Sequence, residues 1–207
     1  DLALLEIPEK NKYHIHHEEV QGAGKNQELS RKAFEANSQE IFNKFREVFG
    51  EETDRILICL GVAGGTGGGS VHTLLNIAKR YFTYAGVENA HERVGVIASL
   101  PTTGESASPV VAKNAFNRMT ELSVSSSNGE FAPLIIIDND KIKRLYPQLT
   151  VKQFWPTLNN TVAGLFHIFN VLSTKNSNYT AFDTEDYNSI MKTKGCMIMG
   201  VTAVKDV

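Results

Sequence analysis

Six glycines fall within nine residues in the run Gly61-Val62-Ala63-Gly64-Gly65-Thr66-Gly67-Gly68-Gly69, followed by Ser70. Ordering so many glycines costs backbone entropy, so a chain keeps them where something approaches the backbone too closely for a Cβ. The apolar segment Ile56-Leu57-Ile58-Cys59-Leu60 precedes the run and a helical pattern follows from Val71, which makes it a strand-to-helix turn. Backbone N–H groups at such a helix start, with its positive dipole end, suit a polyphosphate, and Thr66 and Ser70 add hydroxyl donors. No lysine follows the glycines as a Walker loop requires, and the spacing does not fit the Gly-x-Gly-x-x-Gly of dinucleotide-binding proteins.

Strand and helix patterns alternate through the rest of the chain. Apolar spacing predicts helices over 27–49, 70–85, 107–122, 157–172 and 184–192, and strands over 55–60, 94–100, 134–137 and 197–204. Gly50, Gly86 and Pro101 punctuate them. The series implies an α/β fold, a Rossmann-like, mostly parallel sheet flanked by helices, with ligands at the carboxyl ends of the strands. The 207 residues, 42% hydrophobic with a formal net charge of −2, fit a single globular unit. A pI near 6.3 supplies no field for nucleic acid, and no apolar run approaches the roughly 20 residues that span a bilayer. Cys59 and Cys196, each in an apolar run, read as reduced core thiols of a cytoplasmic protein.

The segment Ala63-Gly64-Gly65-Thr66-Gly67-Gly68-Gly69 resembles the signature of the FtsZ/tubulin superfamily. The resemblance implies a GTP-binding domain over 1–207. The family's opening strand and first glycine loop would then lie upstream, and its C-terminal domain downstream. It further implies nucleotide contacts from Ala63, Gly64, Gly65, Thr66, Gly67 and Gly68, and from Gly22, Ala23 and Gly24 beside the γ-phosphate. Glu105, in Pro101-Thr102-Thr103-Gly104-Glu105, falls at the ribose-contacting position, and Asn139 and Asn159 fall at the guanine edge. The ligand would be GTP or GDP with Mg²⁺. Because asparagine amides pair with several base edges, ATP is also compatible.

A second segment, Ala181-Phe182-Asp183-Thr184-Glu185-Asp186, resembles the acidic loop that FtsZ-like proteins insert into the nucleotide pocket of the next subunit. Asp183 and Asp186 are then the catalytic carboxylates, acting on a water in phosphoryl transfer. The same acids also suit a helix N-terminus as caps, without catalysis. Hydrolysis at each longitudinal contact implies head-to-tail filaments, reaching a membrane or DNA only through an adaptor, as in cell division. Gly68 stands where the family carries Ser, Ala or Thr, Pro109 replaces an arginine, and Ala181 replaces an asparagine. These departures favour an alternative, a non-hydrolysing nucleotide-binding scaffold. A second alternative is an NAD-binding oxidoreductase of similar architecture.

His14, His16 and His17 lack the acid or cysteine that would complete a zinc site. Phe154 and Trp155 read as anchors for the start of the long helix, Met191, Met197 and Met199 as core, and Lys141, Lys143 and Arg144 as a solvated helix face.

Overall fold

The computed structural model of the chain describes residues 6–15, 22–50, 53–174 and 182–200. Strands β1 (Ile56–Gly61), β2 (Val94–Leu100), β3 (Leu134–Asp138) and β4 (Cys196–Met197) lie side by side in chain order, all pairs parallel. Register runs straight across, Ile58 opposite Val96 and Val96 opposite Leu134. The Rossmann-like expectation is met: parallel neighbours need crossovers, and helices α3 (Gly65–Tyr84) and α4 (Pro109–Ser127) supply the first two.

One face of the sheet carries Ile56, Val94, Val96, Ala98 and Leu134, packed with Val71, Leu75, Ala78 and Phe82 of α3 and Leu122 of α4 in a single core. Each such valine, leucine, isoleucine or phenylalanine side chain contributes roughly 1.5–3 kcal/mol on burial. Helices α1 (Gln27–Ala36) and α2 (Ser38–Phe49) lie against α3 on its outer side. Three shorter or later helices follow: α5 (Asn139–Leu145), α6 (Val151–Leu172) and α7 (Thr184–Met191).

Several boundaries differ from expectation for local reasons. The helix expected over 27–49 is two, because Asn37 leaves helical geometry and its amide donates to the Ala33 carbonyl at 2.8 Å, capping α1. Helix α6 starts at Val151 instead of 157, since Gln153 Oε1 accepts from the Thr150 hydroxyl (2.9 Å) and closes the first turn ahead of Pro156. Of the strand expected over 197–204, Met197 is paired, with Cys196 before it; residues 198–200 are not in strand, and 201–204 lie outside the described residues.

The cysteines correct the expectation of core thiols, since both Cys59 and Cys196 are free and exposed. Strand β1 ends the sheet, so its outer edge has no strand partner among the described residues, and Cys59 lies there. Met191 is fully buried, and Lys141, Lys143 and Arg144 are exposed on α5. Among the described residues no helix is long and apolar enough to cross a membrane. His16 and His17 lie outside them.

Candidate functional site

A cavity of about 300 Å³ opens at the carboxyl ends of β1, β2 and β3. Gly61, Ala63 and Gly64 of the β1–α3 loop form one wall. Lys25 joins them from the loop before α1, and its positive φ (67°), following Gly24 (53°), turns the chain toward the cavity. The first turn of α3 contains no acidic residue, so its free N–H groups and positive dipole end meet no built-in anion.

The glycines of the loop divide by role. Gly61 and Gly64 face the cavity, but Gly65, Gly68 and Gly69 are buried against the protein. A Cβ on Gly65 would lie 2.8 Å from Lys25 N and 2.9 Å from Ala23 Cβ, and one on Gly69 would lie 2.7 Å from Ser30 Cβ. Close approach of α1 and of the Gly22–Lys25 loop therefore accounts for Gly65 and Gly69, where the sequence suggested a phosphate. Thr66 is exposed at the start of α3, and its carbonyl accepts from Ser30 Oγ (2.9 Å). Gly67 is partly exposed, with the Leu60 Cβ 3.0 Å from where its own Cβ would stand. Gly22, Ala23 and Gly24 sit beside this wall, Gly22 and Gly24 exposed.

The opposite wall is built from the loops after β2 and β3. Glu105 lines the cavity while its Oε2 accepts from the backbone N–H (2.8 Å) and hydroxyl (2.9 Å) of Thr102, which shapes the turn. Asn139, only 4% exposed, donates from Nδ2 to the Leu100 carbonyl at 2.8 Å. Its Oδ1 is buried with no hydrogen-bond partner among the described residues. A buried carbonyl oxygen of this kind costs about 1–3 kcal/mol until a donor meets it, and Asn139 is one of the residues that line the cavity.

Trp155 of α6 also lines the cavity and is 43% exposed. Its ring forms a T-shaped pair with that of Phe154, centroids 4.9 Å apart. Asn159, one turn further along α6, is exposed and does not form part of the wall. Lys25 and Trp155 are contributors that sequence reading missed. The helical spacing of Trp155 with Asn159 was the available signal for the latter.

Asp183 and Asp186 lie elsewhere. Asp183 caps α7, its Oδ1 accepting from Glu185 N (2.8 Å) and Asp186 N (3.0 Å), while Asp186 Oδ2 accepts from Asp183 N (3.2 Å). Both are exposed. The helix is tied to the far end of α6: Tyr187 donates its hydroxyl to Asn170 Oδ1 (2.9 Å) and stacks on Phe169. At about 1.5 Å rise per residue, Asn170 is about 22 Å along α6 from Trp155. The carboxylates are thus remote from the cavity of their own chain. Ala181 lies outside the described residues.

Comparison with known proteins follows the same outline. "Tubulin-like protein TubZ" of Bacillus cereus is 25% identical over 191 residues, 89% of this chain and 41% of that protein. The GDP-bound monomer of CetZ1 from Haloferax volcanii superposes with a TM-score of 0.72 at 22% identity, covering 94% of this chain and 52% of that one. The GTPγS-bound protofilament of CetZ2 from the same organism gives 0.61 at 20% identity, covering 84% and 45%. The chain therefore spans about two fifths of the length of the curated relative and about half of these structures. A family model described as "Tubulin like" matches residues 7–163, three quarters of the sequence, and the chain belongs to that tubulin-like, FtsZ-related family.

Proposed function

We propose that residues 1–207 are the GTP-binding domain of a cytoplasmic, filament-forming GTPase. The observation that carries this reading is the cavity itself. A glycine-loop wall rich in backbone N–H groups stands on one side, and the partnerless Asn139 Oδ1 on the other. Phosphates suit the first wall. The donor-bearing edge of guanine, with its N1–H and N2–H, suits a buried acceptor. Lys25 supplies a cation, Glu105 an acceptor for ribose hydroxyls, and Trp155 a flat apolar surface for the base. GDP in the CetZ1 monomer and GTPγS in the CetZ2 protofilament support a guanine nucleotide. Bound Mg²⁺ would compensate phosphate charge during transfer.

Asp183 and Asp186 sit on α7, which is tied to the end of α6 remote from Trp155, so any role in hydrolysis falls on a neighbouring subunit. A head-to-tail contact sets the α7 end of one subunit on the cavity of the next. Such heterologous contacts propagate into filaments, and a protofilament is the assembled form of CetZ2. There Asp186 accepts a hydrogen bond from the attacking water and orients it. Attachment to a membrane or to DNA, in cell division or another process, would go through an adaptor.

One observation favours the second reading, a non-hydrolysing scaffold: Asp183 and Asp186 already satisfy each other's backbone in the cap of α7. Turnover of the full-length protein against concentration separates the two. Turnover rising above a threshold concentration, and falling at least tenfold in Asp186→Asn, supports shared hydrolysis, given that positioned general bases contribute about 10²–10⁴-fold. Filaments that form with GTP and never turn it over leave the scaffold.

A further inference from the structure

The loop that faces the cavity turns its carbonyls away from it. Gln27 Nε2 donates to Val62 O (2.8 Å) and Gly64 O (3.1 Å), and Asn114 Nδ2 donates to Ala63 O (3.2 Å) and to Lys25 O (2.9 Å). Three successive carbonyls of the phosphate-facing loop are therefore held by two side-chain amides, one from α1 and one from α4. Gln27 is itself fixed, since Oε1 accepts from Arg118 Nη2 (3.3 Å) and Arg118 pairs with Glu121 one turn on.

This arrangement requires the absence of a side chain at position 68. A Cβ built on Gly68 would lie 2.9 Å from Gln27 Cδ and 2.6 Å from Val62 O, and would collide with Gln27 Nε2. The Gln27 amide occupies the room that a residue-68 side chain would take.

A glycine-rich loop can present a peptide unit either way round, carbonyl or N–H first, because glycine crosses between conformations at little cost. A carbonyl aimed at an anion repels it, whereas an N–H binds it. We propose that Gln27 is a positioning residue for the bound phosphates. By holding the carbonyls of Val62 and Gly64 from behind, it keeps the loop's N–H groups directed at the ligand, and Gly68 is the partner that makes room for it. Asn114 holds the Ala63 carbonyl, whose peptide N–H, that of Gly64, donates within the loop to Gly61 O (3.3 Å), and locks the Lys25 loop alongside. The inference rests on the nucleotide reading of the cavity.

The test compares GTP with guanosine, which lacks the phosphates, by calorimetric titration of the full-length protein. Gln27→Met keeps bulk and removes the donor. It should weaken GTP binding about tenfold, as expected for two side-chain hydrogen bonds, and leave guanosine binding unchanged. Equal weakening of both ligands, or of neither, overturns the proposal. If wild type itself binds GTP no more tightly than guanosine, the phosphate reading of the cavity fails instead. Gly68→Ala gives a second arm: its cost in GTP affinity should be smaller in a Gln27→Ala background than in wild type. Additive costs in that cycle would separate the two residues and remove the pairing.

Discussion

Thr103 donates twice to one oxygen of Asp140: its backbone N–H reaches Oδ2 at 2.7 Å and its hydroxyl makes a short bond to the same atom. The loop after β2 is thereby fastened to the first turn of α5, next to the Glu105–Thr102 turn and to Asn139 on the cavity wall. The Thr103 hydroxyl, more than any other cause, holds the Asp140 carboxyl below its ordinary range. Asp140→Ala frees this loop and should weaken GTP binding about tenfold, with the protein still folded by circular dichroism. The sign with pH follows from the lowered carboxyl. The fastening is complete above the ordinary carboxylate pKa of about 3.9 and fails only as pH falls below it. The pH dependence of GTP affinity between pH 6 and 8 should therefore contain no contribution from this pair.

Trp155 is the single tryptophan of the chain, so intrinsic fluorescence reports on one place, the cavity wall. Its ring is 43% exposed, and a base stacked against it excludes water. Adding GTP or GDP should change emission intensity by tens of per cent and shift the maximum, with saturation at the Kd found by calorimetry. Trp155→Phe removes the signal and should cost about 3- to 10-fold in affinity, the scale of one stacking contact. An emission spectrum indifferent to saturating nucleotide would place the base away from α6.

At the other pole of the sheet, Arg55 joins three segments. Its Nη1 donates to the carbonyls of Glu92 (2.6 Å), Ala132 (3.2 Å) and Met191 (3.3 Å), the last being the end of α7. Burial, above all, lowers the affinity of this guanidinium for its proton, while nearby Tyr187, Asp54 and Glu92 partly offset it; arginine stays charged, and the carbonyls it meets, one at the C-terminal end of α7, favour that charge. Arg55→Met leaves those carbonyls without a donor and should cost about 2–4 kcal/mol in chemical denaturation. Arg55→Lys, with a compact charge that cannot fork, should recover only part of it. If α7 must be held for its acids to meet a neighbouring subunit, filament turnover should drop further in Arg55→Met than nucleotide affinity does.

The alternation of strands and helices was legible in the sequence because β2, β3 and α3 carry apolar patterns whose inward-facing residues enter the core. The carboxyl-end location of the cavity followed from the parallel order. What was not legible depends on contacts between segments distant in sequence. The glycines at 65, 68 and 69 look like a ligand's imprint, and only the packing of Ala23, Lys25, Gln27 and Ser30 against them gives the actual reason. Asn37 breaks a helix through one side-chain bond to Ala33, which periodicity does not register. Gln27 and Asn114 are ordinary polar residues of amphipathic helices until the fold brings loop carbonyls within reach of their amides.

His72 on α3 gives the fold its own acid sensitivity. It faces Glu121 of α4, Nε2 to Oε2 at 3.3 Å, with Arg118 close by and paired to the same carboxylate. Burial first, then the Arg118 charge, lowers the histidine pKa, and the Glu121 contact offsets only part of this. A histidine with a folded pKa below its unfolded value of about 6.5 favours the neutral form in the native state. Its contribution is therefore intact above that value and declines as pH falls from about 6.5 toward the folded pKa. The melting temperature should drop between about pH 7 and pH 5.5, and His72→Gln should flatten that part of the profile while leaving the pH 8 value within a few degrees of wild type. Superimposable profiles for the two proteins would show that the α3–α4 contact is indifferent to the charge on His72. Arg118 also donates to Gln27, so repulsion between protonated His72 and Arg118 on acidification should reach the cavity loop as well. GTP affinity in wild type, but not in His72→Gln, should then fall over the same pH range.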